Sequence, residues 1–288
     1  MTSGQATTHY YYPGPSHWQL WGALALLIMA MGTVVWMWGN WTIGPILIAI
    51  GVAFLVLMLA GWFHRVAHES ESGAYNQQVD MSYRWSMSWF IFSEVMFFGA
   101  FFGALFFTRV ISIPDLGSLA HSKMLWPNFT ATWPTAGPGL AGLQFTPMEA
   151  WGIAAINTLI LLTSGATVTW AHWGLKKARR WQLILGLILT ITLGITFLFL
   201  QGYEYYHAYF HQGLTLGAGA YGATFFLLTG FHGFHVTVGT IMLIVILGRC
   251  LAGHFKPEHH FAFEGVSWYW HFVDVVWLLL FIFVYWLA

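Results

Sequence analysis

Seven stretches of this chain are each long and apolar enough to cross a lipid bilayer, and no other property constrains its fold so tightly. A hydrocarbon core of about 30 Å needs about 20 apolar residues in helix, because every backbone polar group must be bonded within the segment. The stretches run approximately Trp18–Trp38, Ile43–Phe63, Trp85–Ile111, Met148–Ala171, Gln182–Tyr206, Gly222–Leu251 and Gly265–Leu287. The expected fold class is an all-α integral membrane protein of seven transmembrane helices. Of the 288 residues 7% are charged, against roughly 25% in a soluble domain, and ten basic side chains balance ten acidic ones. That balance gives no sign of nucleic acid, which selects a basic excess.

Lys and Arg are concentrated on one side of the expected spans. Arg65, Arg84, Lys176, Lys177, Arg179, Arg180, Arg249 and Lys256 lie in alternate connections, whereas Arg109 and Lys123 lie on the other side. Basic residues mark cytoplasmic segments, so the pattern predicts an inside N-terminus and an outside C-terminus. The first seventeen residues lack the basic start and immediate apolar run of a secretory signal, so a retained N-terminus is expected. The expected organisation is an N-terminal tail (1–17), two transmembrane helices (18–64), a cytoplasmic connection (65–84) and a five-helix bundle (85–288). The bundle carries a long external loop at 112–147, rich in Pro, Gly and Trp. Loops of that length tend to be functional or to cover a partner. The single cysteine, Cys250, rules out an internal disulfide and any site that needs two thiolates.

Ionisable residues inside the spans are functional candidates, since a carboxylate at the bilayer centre costs about 2.5–3.5 kcal/mol on insertion scales. Glu94 and Asp274 lie deepest, with Glu204 and Glu264 nearer span ends. Glu264, His271 and Asp274 fall within about 80° of one helical face. His232 and His235 are three residues apart in a span whose glycines at 230, 233 and 239 allow close helix approach. The residues alone leave four readings open: metal or haem ligation by the two histidines, a proton pathway through Glu94 and Asp274, mutual hydrogen bonding between helices, and support of a partner's proton chemistry or lipid contacts. Arg65, Arg84, Arg249 and Lys256 set topology. With Trp62, Glu69 and His254 they flank span ends where basic groups hold phospholipid head groups.

Five ordered motifs carry a resemblance: FSEVMFFGAFF (92–102), INTLILLTSGATVTWAHW (156–173), LQGYEYYHA (200–208), TFFLLTGFHGFHVTVGT (224–240) and HHFAFEGVSWYWHFVDVVW (259–277). The chain resembles subunit III of cytochrome c oxidase, in the haem–copper oxidase superfamily. The resemblance implies two-plus-five helix bundles around a lipid-holding cleft, and an accessory core subunit without haem or copper of its own. It implies as partners subunit I, the haem–copper catalytic subunit, and subunit II, with its copper and cytochrome c docking. It further implies structural phospholipids, proton translocation by the complex, and a role in stabilising the catalytic subunit and supporting proton uptake. Glu94 matches the family's buried glutamate. Trp62, Glu69, Arg84, Arg249 and His254 match lipid contacts, and His232, His235, Glu264, His271 and Asp274 match an interhelical polar network. Where mitochondrial members carry a Gly-His-His-Thr type segment this chain has GAYNQQ (73–78), and it continues the third span as GALFFTRV (103–110). These departures imply a bacterial member in the inner (plasma) membrane. Subunit III of a quinol oxidase and a stand-alone proton or solute transporter are the alternative readings.

Overall fold

A computed structural model describes residues 11, 14–118, 124–127, 129–140 and 142–288. Most of the expected N-terminal tail lies outside the described residues, as does Lys123. Among the described residues are seven long helices, each apolar enough to cross a membrane. They are α1 (Trp18–Met37), α2 (Ile43–Glu71), α3 (Gln77–Phe106), α4 (Ala155–Lys176), α5 (Arg180–His211), α6 (Gly219–Ala252) and α7 (Phe261–Leu280). Wider π-helical turns extend α3 over Phe107–Ser112, precede α4 at Ala150–Ala154 and extend α7 over Phe281–Trp286. No strand occurs among the described residues; an isolated antiparallel bridge between Lys256 and His259 closes the turn from α6 to α7.

The helices outrun the apolar stretches that predict them. α2 continues to Glu71 and α3 begins at Gln77, so most of the expected connection 65–84 is helical. α5 extends five residues beyond Tyr206. Apolar length measures the hydrocarbon that must be spanned, whereas a helix continues as long as backbone bonds propagate and nothing breaks it.

The chain divides into two compact units, Met1–Tyr83 and Arg84–Ala288. In the first, α1 and α2 form a hairpin whose turn is shaped by Asn40. Its side-chain oxygen accepts from the backbone N–H of Ile43 at 2.8 Å and Thr42 at 3.3 Å. The helices meet through small residues: Gly32 lies against Leu47 and Ile48, Gly44 against Trp36, and Gly51 against Met29. Small residues at such contacts are how apolar helices associate in lipid, where no hydrophobic force separates protein from solvent.

The second unit packs α4 to α7 into a core around two fully buried tryptophans, Trp270 and Trp277. The indole N–H of Trp270 donates to Ser164 Oγ at 2.9 Å and that of Trp277 to Thr158 Oγ1 at 3.0 Å, so α7 is bonded twice to α4. Room for Trp270 depends on Gly194 of α5 and Gly239 of α6, where an added Cβ would stand 2.8 and 2.9 Å from the indole. Of the three α6 glycines singled out by sequence, Gly239 alone makes this close contact. A Cβ on Gly230 would meet only the Tyr205 hydroxyl at 3.6 Å, and one on Gly233 would meet nothing within 4 Å.

The long loop is strapped to the turn between α5 and α6. Ala220 N donates to Ala136 O at 3.1 Å, Tyr221 N to Thr135 O at 3.0 Å, and Thr146 N to Gln212 O at 3.0 Å. Phe145 stacks on Tyr221 at 5.6 Å. Gly219 has φ of +73°, and a Cβ there would stand 1.9 Å from the Ala136 oxygen. At the other end of the loop Arg109 donates to the carbonyl of Leu287.

Candidate functional site

The polar side chains of the second unit are drawn into pairs between helices. Glu94 on α3 faces His235 on α6, with Oε2 and Nε2 2.8 Å apart and the side chains 20% and 9% exposed. His235 Nδ1 lies 2.6 Å from the carbonyl oxygen of Phe231. A carbonyl only accepts, so Nδ1 carries a hydrogen. Nε2 then either accepts from a protonated Glu94 or, in an imidazolium, donates to the carboxylate. The two forms differ by the position of one proton, and each leaves the pair with no net charge. Phe97 and Phe98 pack against the imidazole at 6.0 and 5.0 Å, while Tyr269 stacks beside it at 6.3 Å.

His232 turns elsewhere. It is fully buried, and its Nε2 lies 3.2 Å from Val273 O on α7, with Phe197 and Trp277 around the ring. The two histidines that sequence grouped on one face therefore serve different neighbours. Among the described residues no group of three or more His, Cys, Asp or Glu side chains is arranged to hold a metal ion.

The stripe on α7 also divides. Glu264 binds Arg84 of α3 at 2.7 Å, and the Arg84 guanidinium lies over the Phe261 ring at 5.5 Å. Two turns along α7, His271 Nε2 meets Thr169 Oγ1 at 3.1 Å, and its Nδ1 lies 3.6 Å from Asp274 Oδ2. Because the Thr169 hydroxyl donates to Gly165 O at 3.0 Å, its oxygen accepts from His271. Asp274 and His271 floor an apolar notch of about 500 Å³ between α4 and α7, with Leu162, Trp173, Val275 and Leu278 among its walls.

The remaining residues lie near helix ends. In the first unit Trp62 is 41% exposed and stacks on Phe63 at 5.9 Å. Glu69 accepts from Arg65 Nε and from the Tyr75 hydroxyl, both at 3.1 Å. Burial, reinforced by Tyr83 and the Glu69 carboxylate, pushes the Tyr75 phenol well above its ordinary range. In the second unit Arg249 lies over the Phe255 ring at 4.7 Å, and His254 N donates to Arg249 O at 3.1 Å where α6 ends on the left-handed Gly253.

Several polar contacts emerge only with the coordinates. Glu204 of α5 is fully buried and accepts through Oε2 from Gln201 at 2.8 Å and from Tyr285 at 3.0 Å. Tyr205 pairs with Thr229 at 2.6 Å, linking α5 to α6. His172 and His260, from the two motifs WAHW and HHF, bring their rings to 5.3 Å. The i, i+3 spacing of Gln201 and Glu204 in LQGYEYYHA was the available signal for the first of these; nothing local identified the Tyr285 partner 81 residues on.

Seven apolar helices, several of whose intramembrane polar side chains pair across helices, define a multi-pass membrane protein. Residues 8–288 match the family model described as cytochrome c oxidase subunit III. The chain is similar to cytochrome c oxidase subunit 3 of Gadus morhua, 41% identical over 278 residues and 96% of each chain, and of Latimeria chalumnae, 40% identical over the same length and coverage. The subunit 3 of Equus asinus is 40% identical over 281 residues and 97% of each chain. The chain belongs to the cytochrome c oxidase subunit III family, and is thus a non-catalytic subunit of an oxidoreductase complex formed with other oxidase subunits.

Proposed function

We propose that this subunit stabilises a haem–copper subunit I, beside a copper-bearing subunit II that docks cytochrome c, and supports proton uptake by the complex. The observation that carries the proton role is the Glu94–His235 pair, an acid and an imidazole 2.8 Å apart across α3 and α6 and partly exposed. Glu94→Gln keeps the shape of the side chain but removes its acid. In the assembled oxidase it should slow proton uptake or shorten turnover lifetime while leaving the haem spectrum unchanged. Unchanged uptake kinetics and lifetime in a fully assembled variant would overturn the reading.

Phospholipid is held at the membrane surface by each unit separately, through Trp62 and Glu69 in the first and through Arg84, Arg249 and His254 in the second. Support comes from the amphipathic mixture of indole, guanidinium and imidazole at helix ends, the chemistry that accommodates a zwitterionic or acidic head group. Arg84 is already engaged by Glu264, so its contribution to a phosphate is that of a partly neutralised donor. The orientation with the N-terminus inside rests on the excess of Lys and Arg on one side. Location in a bacterial plasma membrane rests on the departures at residues 73–78 and 103–110. Purification from native membranes under mild detergent should yield the chain with haem-bearing and copper-bearing partners; recovery of a free, active transporter would contradict it.

A further inference from the structure

α5 contains 32 residues, about 48 Å of helix at 1.5 Å per residue, so its ends stand beyond a hydrocarbon core of about 30 Å. The last turns, at the end opposite the basic Lys176–Arg180 turn, carry His207 and His211. They are four residues apart on one face, the spacing at which two imidazoles on a helix share a metal ion. Their ring centroids are 5.0 Å apart with planes tilted by 33°.

That separation is informative. With a metal–nitrogen bond of about 2.0–2.1 Å, the ring centroid lies about 3.2 Å from the ion, and two imidazoles bound at about 90–110° would have centroids about 4.5–5.2 Å apart. The observed distance falls inside this interval without rearrangement of the helix. Tyr203 stacks against His207 at 6.5 Å, and Tyr206 borders His211 at 6.0 Å, which limits the rings' freedom. His207 is half-buried and His211 exposed, so an ion can arrive from water and complete its shell with water. Both residues lie near the C-terminus of α5, where unpaired carbonyls favour positive charge. The histidine pair on α6, His232 and His235, is three residues apart and its imidazoles are bonded to separate partners.

We propose that His207 and His211 form a surface site for a late first-row divalent cation, with Zn²⁺ and Cu²⁺ as the ions whose coordination preferences it meets. The ion acts as a staple across the last turn of α5. The site is separate from the proton and lipid roles proposed above.

The test uses the assembled complex purified without a polyhistidine tag, and compares wild type with His207→Ala and His211→Ala for binding of ⁶⁵Zn²⁺. Wild type should retain one ion per complex more than either variant. The two single variants should lose it equally, because a chelate needs both rings. Added Cu²⁺ should show nitrogen hyperfine splitting in wild type that either substitution removes, and Zn²⁺ should slow amide exchange at residues 208–212 in wild type only. His207→Gln and His211→Gln preserve helix-forming character and repeat the comparison should an alanine variant assemble poorly. Equal zinc content in wild type and all variants, or loss in one single variant but not the other, would overturn the proposal.

Discussion

The α1–α2 hairpin and the α4–α7 core are built from similarly apolar helices but are held together differently. In the most apolar stretch of α1 11% of residues are buried within the chain, against 56% in that of α7. The hairpin joins its helices by glycine against aliphatic and aromatic carbon. The larger unit adds hydrogen bonds between helices: Trp270 to Ser164, Trp277 to Thr158, Tyr285 to Glu204 and Thr167 to Thr190. Lipid solvates an exposed leucine as well as a protein does, so burial alone gives little association in a membrane. Close packing suffices to join two helices, whereas the larger unit combines close packing with polar bonds that specify which faces meet.

Four substitutions probe that difference, in order of expected effect. Trp277→Ala empties a fully buried site and removes the Thr158 bond; by analogy with soluble cores the cost is about 3–5 kcal/mol, read as lower yield and a lower thermal midpoint of the purified complex. Arg84→Ala leaves Glu264 without its 2.7 Å partner and should cost about 2 kcal/mol, less than for a fully buried pair because Arg84 is 31% exposed. A double-mutant cycle with Glu264→Gln should recover most of that loss. Gly51→Leu forces a side chain into Met29 and should cost about 1–3 kcal/mol in the hairpin, seen as faster proteolysis in the 38–42 turn with protection in α4–α7 unchanged. If α4–α7 also loses protection, the two regions are not independent. Ser164→Ala removes one hydrogen bond to Trp270 and should cost about 0.6 kcal/mol, the average for such bonds between membrane helices.

The spans were legible because their signal is local: each is a continuous apolar run whose length answers to the bilayer. The pairings were not. Glu94 and His235 were both recognised as intramembrane polar residues, yet 141 residues separate them, and no periodicity reports which α6 face meets α3. For the same reason Glu264 read as part of a stripe with His271 and Asp274, although Arg84 is its ion-pair partner. Helical periodicity places residues on a face but does not name what the face meets. The ends of α2 and α3 were missed for a different reason, since polar residues outside the lipid extend a helix without adding to its hydropathy.

Gly219 gives the loop at 129–147 an uneven tolerance of mutation. Its φ of +73° disfavours any L side chain, and the Ala136 carbonyl occupies the place where a Cβ would go. Neighbours such as Leu140 and Leu143, both 43% exposed, have no comparable obstruction. In a library of every single substitution, the loop's tip should therefore accept wide variation, while this position outside it, where the loop is seated, accepts none.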